Sequence, residues 1–579
     1  ALLRTRSLSS STDASGADPV TRLLAGKGSH VMGDTSTPLI DLTIDAAFRS
    51  AVSTHPDLLA LACPQQGVRW TFAQLDAKVE AAAAGLSSSL NLKKGDKIGT
   101  WLPNVYEYVV MQCATARAGI IMVTLNPAYR LPELKHAINA VGLDALLMVP
   151  SLAASDYVGM VQSLLADKES VPSLRHILVI NGEGEGEDES SIVSKLNTPL
   201  ARGYSTVCEQ PDPPAFSPPP LSPQDVINIQ FTSGTTGLPK AVALTHHSIL
   251  NNARAAALKQ RLSHADRVCV PVPLYHCFGL VLGSLACVTN ASALVLPSRA
   301  RFDPSLTLGA VVSEGCTSLY GVPSMFIAML SLPNLRSFSL SSLRTGIMAG
   351  SLCPPDIMRR VTIAYGMTET SPVSWQSDAE GTPFDKLIHT VGRVIPHVEC
   401  KVVDTETGET VPIGKRGELL TRGYVVMQGY WGNPEATAAA VDAEGWIRTG
   451  DLVTIDDEGY CTVVGRCKDI IIRGGENIAP KEVEDTCYAC EEIVQDVSVI
   501  GVPDERLGEQ ICACVILRPG VKPGVDTAEK LRDFCRERIS HFKVPKHVRF
   551  VEEFPMTVSG KVQKFQLVSD SARALGLRS

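Results

Sequence analysis

The chain has 579 residues, of which 45% are apolar and 20% are charged, and its formal net charge is −8. This length exceeds what a single hydrophobic core usually serves, so it predicts several domains or lobes. The acidic balance disfavours a nucleic-acid-binding surface, and no apolar run is long enough to span a bilayer.

The N-terminal segment predicts a leader that precedes the folded body. Residues 1–12, ALLRTRSLSSST, combine two arginines with several serines and contain no acidic residue, a composition typical of mitochondrial transit peptides. We therefore interpret residues 1–38 as a leader and expect a mitochondrial matrix location. The alternatives are a disordered leader without a targeting role and a cytoplasmic location. The sixteen cysteines are scattered, which favours a reducing compartment over a disulfide framework.

From about residue 40 onward, helical and strand patterns alternate. FAQLDAKVEAAAAGL (72–86) has the apolar spacing of a helix, whereas KIGTWLP (97–103) and GIIMVTL (119–125) have the composition of buried strands. Such alternation predicts an α/β fold with layered parallel sheets. Residues 182–223 are first acidic and then rich in Pro, so we expect a surface connection there without a packed core of its own.

A loop rich in small and hydroxyl residues follows the strand pattern DVINIQF (225–231). This loop, FTSGTTGLPK (231–240), contains three threonines and a lysine, but it is not a Walker loop because Ala241 follows the lysine. We interpret it as a phosphate cradle made of backbone N–H groups, hydroxyls and the ammonium of Lys240. The alternative is a plain hairpin turn, which would not need these residues.

The segment after the loop predicts a second strand and then a helix. KAVALT (240–245) has a strand pattern, and Thr245 can cap the helix HHSILNNARAAALK (246–259). The loop therefore joins two strands instead of opening a helix directly.

Six motifs follow one another in the order found in the adenylate-forming superfamily, which includes acyl-CoA synthetases, luciferases and the adenylation domains of peptide synthetases. They are FTSGTTGLPKAVALTH (231–246), IAYGMTET (363–370), GYWGNPE (429–435), GWIRTGDL (445–452), GRCKDIIIRGGENIAPKEVE (465–484) and PMTVSGKVQK (555–564). The sequence resembles this superfamily from about residue 40 to its C-terminus, and within it most resembles mitochondrial medium-chain acyl-CoA ligases and their bacterial relatives. The resemblance implies an AMP-binding N-terminal domain (39–465) and a small, mobile α+β C-terminal domain (466–579) with its hinge at residues 466–469.

The resemblance also implies an ATP site. Glu369 resembles the Mg²⁺ ligand, because a hard cation that bridges phosphates prefers carboxylate oxygen, while Thr368 would contact the α-phosphate and Tyr365 would lie against adenine. On its own, YGMTET would equally fit a polar turn. The remaining ATP-binding residues of the resemblance are those of the loop, namely Thr232, Ser233, Gly234, Thr235, Thr236, Gly237, Leu238, Pro239 and Lys240.

Two further residues resemble the ribose site of the superfamily. Asp451 is similar to the carboxylate that accepts both ribose hydroxyls, and Arg466 to the residue that joins it. A surface ion pair is the alternative for either residue alone.

The C-terminal motifs imply a domain that rotates between two half-reactions about Asp469 or its neighbour. Lys561 resembles the lysine that reaches the substrate carboxylate and the α-phosphate during adenylation. Gly474, Gly475 and Glu476 resemble the turn that faces the CoA pantetheine during thioester formation. A lone lysine on a loop is usually solvated, so the role of Lys561 depends on the motif.

The acyl group is the least defined part of the prediction. His276, in PLYHCFGL (273–280), matches a position between the acyl pocket and the adenylate, although a satisfied core histidine is the alternative. No Asp or Glu occurs between residues 274 and 302, whereas amino-acid-activating relatives need a carboxylate there, so an apolar acyl tail is favoured. YGVPSMF (320–326) and MAGS (348–351) match pocket walls in relatives.

One segment departs from the superfamily. PPDIMRRVTIAYG (354–366) is markedly shorter than the resemblance predicts. We expect either an error in the assembled gene sequence or a helix that ends near Arg360 beside a distorted pocket wall.

Together these features predict a carboxylate–CoA ligase. It would use ATP and Mg²⁺ to convert a medium-chain fatty acid, or a similar aliphatic acid, to acyl-AMP and pyrophosphate, and would then transfer the acyl group to CoA. One alternative is an adenylating enzyme with another acceptor, either oxygen or a carrier protein. The other is an inactive relative that binds acyl groups or nucleotides.

Overall fold

The computed structural model describes residues 21–23, 28–152, 155–166, 170–182, 187–232, 239–299, 301–349, 361–473, 476–504, 506–556 and 562–577. Within these residues, strands β1 to β30 and helices α1 to α16 are numbered in chain order. Four large sheets and the helices packed on them carry the fold.

The first sheet is parallel through its centre and antiparallel at one edge, which includes the hairpin that flanks the loop FTSGTTGLPK (231–240). Its inner strands β6 (Ile121–Thr124) and β7 (Ala145–Met148) are buried at every residue, as parallel strands enclosed on both faces should be. In spatial order the eight strands are β11 (Ala201–Gly203), β10 (His176–Val179), β7 (Ala145–Met148), β5 (Lys97–Trp101), β6 (Ile121–Thr124), β12 (Val226–Thr232), β13 (Lys240–Thr245) and β23 (Gly429–Tyr430).

The second sheet has nine strands, with six parallel strands at its centre and antiparallel strands at both edges. In spatial order they are β20 (Arg393–Val394), β19 (Val373–Gln376), β18 (Thr362–Gly366), β17 (Thr345–Ala349), β16 (Ser318–Gly321), β14 (Arg267–Cys269), β15 (Ala293–Val295), β3 (Leu59–Cys63) and β4 (Val68–Thr71). Strands β17 and β18 are parallel neighbours despite the short connection between them, whose residues 350–360 lie outside the described part. The helix end expected near Arg360 falls in that range.

The third sheet is wholly antiparallel, which the α/β pattern did not predict. Its six strands are, in spatial order, β1 (Thr21–Leu23), β2 (His30–Gly33), β21 (Val398–Val403), β22 (Gly417–Gly423), β24 (Ile447–Ile455) and β25 (Cys461–Arg466). The predicted leader of residues 1–38 is therefore too long, because β1 and β2 hydrogen-bond into this sheet. Residues 1–20 lie outside the described part.

The last sheet belongs to a smaller α+β unit at the C-terminal end of the chain, and it follows a 3-10 turn at Cys467–Asp469. Its strands are β27 (Glu476–Ile478), β26 (Ile471–Arg473), β29 (Gly508–Leu517), β28 (Val494–Asp504) and β30 (His547–Phe550). Its helices are α14 (Pro480–Tyr488), α15 (Val525–Arg536) and α16 (Lys564–Ala574). Buried apolar residues of these elements form cores separate from that of the larger part.

The remaining helices pack on the larger sheets, and a two-stranded ribbon, β8 (Ser151–Leu152) with β9 (Ser155–Asp156), precedes one of them. They are α1 (Ile44–Thr54), α2 (Phe72–Ala84), α3 (Tyr106–Ala118), α4 (Leu131–Val141), α5 (Tyr157–Ala166), α6 (Glu189–Leu196), α7 (Tyr204–Cys208), α8 (His246–Lys259), α9 (Ala286–Asn290), α10 (Pro304–Glu314), α11 (Pro323–Leu330), α12 (Phe384–His389) and α13 (Pro434–Ala440). Helix α2 illustrates the local rule: Phe72, Leu75 and Val79 share its buried face at helical spacing.

The prediction for residues 182–223 is wrong in part. This stretch supplies α6, the edge strand β11 and α7, and it buries Tyr204, Val207 and Cys208 in the main core. Acidic and Pro-rich residues dominate the composition of this stretch, so the burial of the short apolar run between them was not predicted. Among the described residues of this stretch, the longest run without a helix or strand is the Pro-rich end, from residue 209 to residue 223.

The predicted α/β class, with its smaller α+β unit, is confirmed. No disulfide joins the cysteines of the described residues. In the same residues no helix has both the length and the apolar character needed to cross a membrane.

Candidate active site

The loop predicted to bind phosphate (231–240), called the phosphate loop below, is closed at its two ends by the hairpin that the sequence predicts. Thr232 on β12 faces Lys240 on β13, and its hydroxyl donates to the carbonyl of Lys240 at 3.4 Å. His136 of α4 donates through Nε2 to the carbonyl of Pro239 at 3.2 Å. The loop residues between them, Ser233, Gly234, Thr235, Thr236, Gly237 and Leu238, lie outside the described residues.

The hairpin also positions α8 behind the loop. Thr245 follows β13 directly, and its hydroxyl accepts a hydrogen bond from the backbone N–H of Ser248 at 3.1 Å. The predicted cap and helix are therefore confirmed, and the loop does join two strands.

The YGMTET motif ends strand β18 and forms a tight turn directly after it. Gly366 is required there, because a Cβ on it would overlap the carbonyl oxygen of Pro372. Thr368 and Glu369 lie in one 3-10 turn and both are buried. The backbone N–H of Met427 donates to the carbonyl of Glu369 at 2.9 Å, which joins this turn to the segment that leads into β23.

Asp451 lies where the second and third sheets meet. Its Oδ2 accepts a hydrogen bond of 2.6 Å from the hydroxyl of Tyr365, and its Oδ1 lies 3.0 Å from Nε of Arg466. Only 8% of its side chain is exposed. The structure therefore brings together the three residues that the resemblance assigns to adenosine, although they come from β18, β24 and β25.

The turn that carries Asp451 is braced by a buried carboxylate that the sequence did not single out. Gly450 has a φ of +72° and its N–H donates to Oε1 of Glu418 at 3.2 Å. Arg448 pairs with the same carboxylate, and the hydroxyl of Thr449 donates to the carbonyl of Leu419 at 2.8 Å. These bonds fix the backbone immediately before Asp451.

Tyr430 links the phosphate-loop lysine to the turn of Glu369. Its hydroxyl donates to Oε1 of Glu369 at 3.0 Å, and the ammonium of Lys240 lies 4.7 Å from the centre of its ring. Tyr430 belongs to the quoted motif GYWGNPE, but nothing in the sequence pattern alone indicates that its side chain points at these two residues.

Charge and burial act against each other in this site. Burial raises the pKa of the Glu369 carboxyl, whereas the hydrogen bond from Tyr430 and the positive charges of Lys240 and Arg466 lower it. The negative charge of Asp451 is the main reason why the pKa of Arg466 is raised. Burial and Asp451 together raise the pKa of Tyr365 well above its usual value, so this hydroxyl remains a donor. The positive charges of Lys240 and Arg466 thus oppose the effect of burial on the carboxyl of Glu369.

The oxygen donors around Glu369 fit a magnesium ion. Its carboxylate and the neighbouring hydroxyl of Thr368 are the hard ligands that Mg²⁺ prefers. No cluster of three His, Cys, Asp or Glu ligands occurs in the described ranges. A single protein carboxylate is compatible with Mg²⁺, because this ion commonly takes its other ligands from substrate phosphates and water.

The segment that contains His276 contacts this turn through the next residue in the chain, Cys277. Cys277 Sγ is 3.8 Å from the hydroxyl of Thr368, and the backbone N–H of Phe278 donates to Nδ1 of His276 at 3.1 Å. Gly279 is required in this segment, because a Cβ there would overlap the carbonyl oxygen of Pro273. The PLYHCFGL segment therefore borders the position assigned to the α-phosphate.

The residues predicted from the C-terminal motifs are described only in part. Glu476 begins β27, which pairs with β26, but Gly474, Gly475 and Lys561 lie outside the described residues. Met556 and Val562 form an antiparallel bridge on either side of the Lys561 segment.

Comparison with known proteins matches the chain to one family along most of its length. The sequence model described as AMP-binding enzyme matches residues 48–431, and that described as AMP-binding enzyme C-terminal domain matches residues 482–561. A relative from Danio rerio, named medium-chain acyl-CoA ligase ACSF2, mitochondrial, is 40% identical over 573 residues, covering 95% of this chain and 91% of the relative.

Bacterial proteins are similar to the chain as well. The protein YngI of Bacillus subtilis (strain 168) is 38% identical over 566 residues, covering 93% of this chain and 99% of that protein. The crystal structure of ATP-bound MatB from Rhodopseudomonas palustris is 27% identical, with a TM-score of 0.79, and the match covers 92% of this chain and 100% of that chain.

Proposed function

This chain belongs to the family of AMP-binding enzymes, and we propose that within it the protein is an AMP-forming acid–CoA ligase for medium-chain fatty acids or similar aliphatic acids. The family resemblance indicated by the sequence motifs is thereby confirmed. The proposed substrate class follows the name of the Danio rerio relative and the absence of acidic residues between positions 274 and 302.

The reaction has two steps. The substrate carboxylate attacks the α-phosphorus of ATP, which forms acyl-AMP and releases pyrophosphate. The thiol of CoA then attacks the acyl carbon, which forms the thioester and releases AMP. The first step brings an anion to a polyanion, so stabilisation of negative charge is the main task of the site.

The observation that carries this proposal is the arrangement of two sets of contacts. The first joins Lys240 through Tyr430 to Glu369, and the second joins Arg466 through Asp451 to Tyr365. A nucleotide bound across both sets would meet a lysine at its phosphate end and a carboxylate at its ribose end.

We assign the individual roles within these two sets of contacts. Thr232, Pro239 and Lys240, with the loop between them, would grip the β- and γ-phosphates, and Thr368 would contact the α-phosphate. Tyr365 would lie against adenine, Asp451 would accept the ribose hydroxyls and Arg466 would hold Asp451. Glu369 would hold Mg²⁺, which when bound would neutralise phosphate charge.

The smaller unit would complete the site in each step. We propose that residues 466–579 form a mobile domain that turns about Asp469 or its neighbour. Lys561 would meet the carboxylate and the α-phosphate during adenylation, and Gly474, Gly475 and Glu476 would face CoA during thioester formation. His276 would line the route of the acyl group.

We also propose a mitochondrial matrix location, since the Danio rerio relative is named mitochondrial. The composition of residues 1–12 supports a transit peptide. The similarity to YngI of Bacillus subtilis keeps the cytoplasm as the alternative, because a bacterium has no such compartment. Fractionation of cells that express the full chain would distinguish the two.

The deciding experiment is ATP- and Mg²⁺-dependent pyrophosphate release with saturated acids from butyrate to palmitate, measured with and without CoA. Acyl-CoA should form in proportion to pyrophosphate when CoA is present. Pyrophosphate release without any thioester would contradict the ligase and favour another acceptor. ATP binding without turnover of any acid would instead favour the inactive relative.

A further inference from the structure

Tyr430 occupies a position between two opposite charges of the proposed site. One face of its ring lies 4.7 Å from the ammonium of Lys240, and its hydroxyl donates to Glu369 at 3.0 Å. Only 6% of Glu369 is exposed, whereas Lys240 lies at the surface. The ring and the hydroxyl of one tyrosine thus contact the phosphate-binding cation and the buried carboxylate at the same time.

The backbone fixes Tyr430 in this place from both sides. Strand β23 pairs with β13, and the N–H of Trp431 donates to the carbonyl of Ala241 at 2.7 Å. On the other side, the N–H of Met427 donates to the carbonyl of Glu369 at 2.9 Å. The segment 427–431 therefore ties the strand after the phosphate loop to the turn of Glu369.

Without such an intermediary, the two charges would attract each other directly. A lysine on a flexible side chain can reach a carboxylate nearby, and an ion pair at partly buried positions is strong. An ion pair between Lys240 and Glu369 would remove the lysine from the phosphates and the carboxylate from the metal. An aromatic face holds a cation less tightly than a carboxylate does, so the ammonium remains available to phosphate.

We propose that Tyr430 is a positioning residue of the adenylating site, which keeps Lys240 and Glu369 apart and aimed at ATP and Mg²⁺. Its ring receives the ammonium when no phosphate is bound, and its hydroxyl orients the carboxylate that takes the metal. This role rests on the proposed function, because it takes Lys240 as a phosphate contact and Glu369 as the magnesium ligand.

The two parts of the role can be separated by two substitutions. Tyr430→Phe keeps the ring and loses the hydroxyl, so it should raise the Mg²⁺ concentration needed for half-maximal MgATP binding roughly tenfold, while metal-free ATP binds as before. Tyr430→Leu also removes the ring, so it should weaken the binding of metal-free ATP as well, by roughly fivefold or more. Both constants are measured by calorimetry with ATP alone, so that no turnover is required.

A double-mutant cycle tests whether Tyr430 acts through the lysine. In a Lys240→Met background there is no ammonium to hold, so Tyr430→Leu should have no further effect on metal-free ATP binding. Tyr424→Phe is the matched control. Its hydroxyl is buried shortly before the segment 427–431 and has no hydrogen-bond partner among the described residues, so the magnesium dependence should stay that of the wild type.

The outcomes separate this role from the proposed function. Failure of the wild-type chain to bind MgATP would overturn both. Normal pyrophosphate release by the wild type, together with an unchanged magnesium dependence in Tyr430→Phe, would overturn the role of Tyr430 alone. A full effect of Tyr430→Leu in the Lys240→Met background would also overturn it, because the tyrosine would then act through packing only.

Discussion

The hydroxyl of Tyr365 donates a hydrogen bond of 2.6 Å to Asp451, although the two residues lie on different sheets and are 86 positions apart in the chain. Arg466 takes the other oxygen of the same carboxylate at 3.0 Å. The orientation of Asp451 is therefore set by how the second and third sheets pack, and a ribose bound there would meet a carboxylate that is already aligned.

Replacement of Asp451 by Asn should weaken ATP binding. The amide cannot accept two hydrogen bonds with full negative charge, and it leaves the cationic Arg466 without its partner. Since hydrogen bonds to charged groups contribute about 1.5–3 kcal/mol, the KM for ATP should rise roughly 10–100-fold. Steady-state pyrophosphate release at varied ATP measures this change.

Tyr365→Phe is the companion variant, because it removes only the hydroxyl and keeps the ring proposed to lie against adenine. Its effect on the KM for ATP should be smaller than that of Asp451→Asn. An equal rise in the KM for ATP in both variants would mean that the tyrosine hydroxyl, and not the carboxylate, makes the interaction with the nucleotide.

Lys561→Ala should separate the two half-reactions. The lysine is proposed to meet the developing negative charge only during adenylation, so pyrophosphate release should be lost. Thioester formation from supplied acyl-AMP and CoA should remain largely intact. Quenched-flow assays of each step provide the measurement. An equal loss of rate in both steps would contradict the proposal that Lys561 acts only during adenylation.

The buried His246 should make stability depend on pH. Burial lowers its pKa from 6.5 to about 4; Asp225 and Asp45 oppose this shift, and Lys94 adds to it. Its Nδ1 accepts a hydrogen bond of 3.2 Å from the N–H of Ile44, which protonation would remove. The unfolded chain therefore binds more protons between pH 6.5 and pH 4, so stability is fully present above this window and falls as the pH drops through it.

The expected loss from this histidine is at most about 3 kcal/mol across the window. Thermal midpoints at about pH 7 and about pH 5 for the wild type and for His246→Asn test it. The variant should lose less stability between the two conditions than the wild type does. The same slope in both proteins would show that other groups cause the acid sensitivity.

The buried Arg117 should be important for the stability of the larger part of the chain. Only 1% of its side chain is exposed, and its guanidinium contacts the carboxylates of Asp45, Asp76 and Glu80 at 2.6, 2.5 and 2.8 Å. Arg117→Leu leaves these three carboxylates without their shared partner, so the free energy of unfolding, measured in urea, should fall by about 3–5 kcal/mol.

Arg175→Leu is the matched control for this prediction. Arg175 also pairs with two carboxylates, those of Asp96 and Asp144, but 43% of its side chain is exposed. Its loss should lower the free energy of unfolding by no more than about 1 kcal/mol, because water screens such pairs. A similar cost for both arginines would indicate that burial does not decide the strength of these interactions.

The local elements of the site could be predicted from the sequence, and the motifs singled out Tyr365, Asp451 and Arg466, which the structure brings together. The strands on either side of the phosphate loop, the cap at Thr245 and the helix after it follow from periodicity and side-chain chemistry that act over a few residues. The geometry around Tyr430 could not be predicted, because no local pattern indicates which way a side chain in GYWGNPE will point.

By itself, the sequence determined the α/β class and the hairpin around residues 231–240, since these depend on spacing along the chain, and its motifs indicated the family by resemblance. Only the tertiary structure decided that residues 21–23 and 30–33 add strands to a sheet, that Tyr204 and its neighbours are buried, and that Tyr430 lies between Lys240 and Glu369. The physical reason is that these features depend on contacts between segments far apart in the chain. Which segments meet is decided when whole sheets pack together to bury apolar surface.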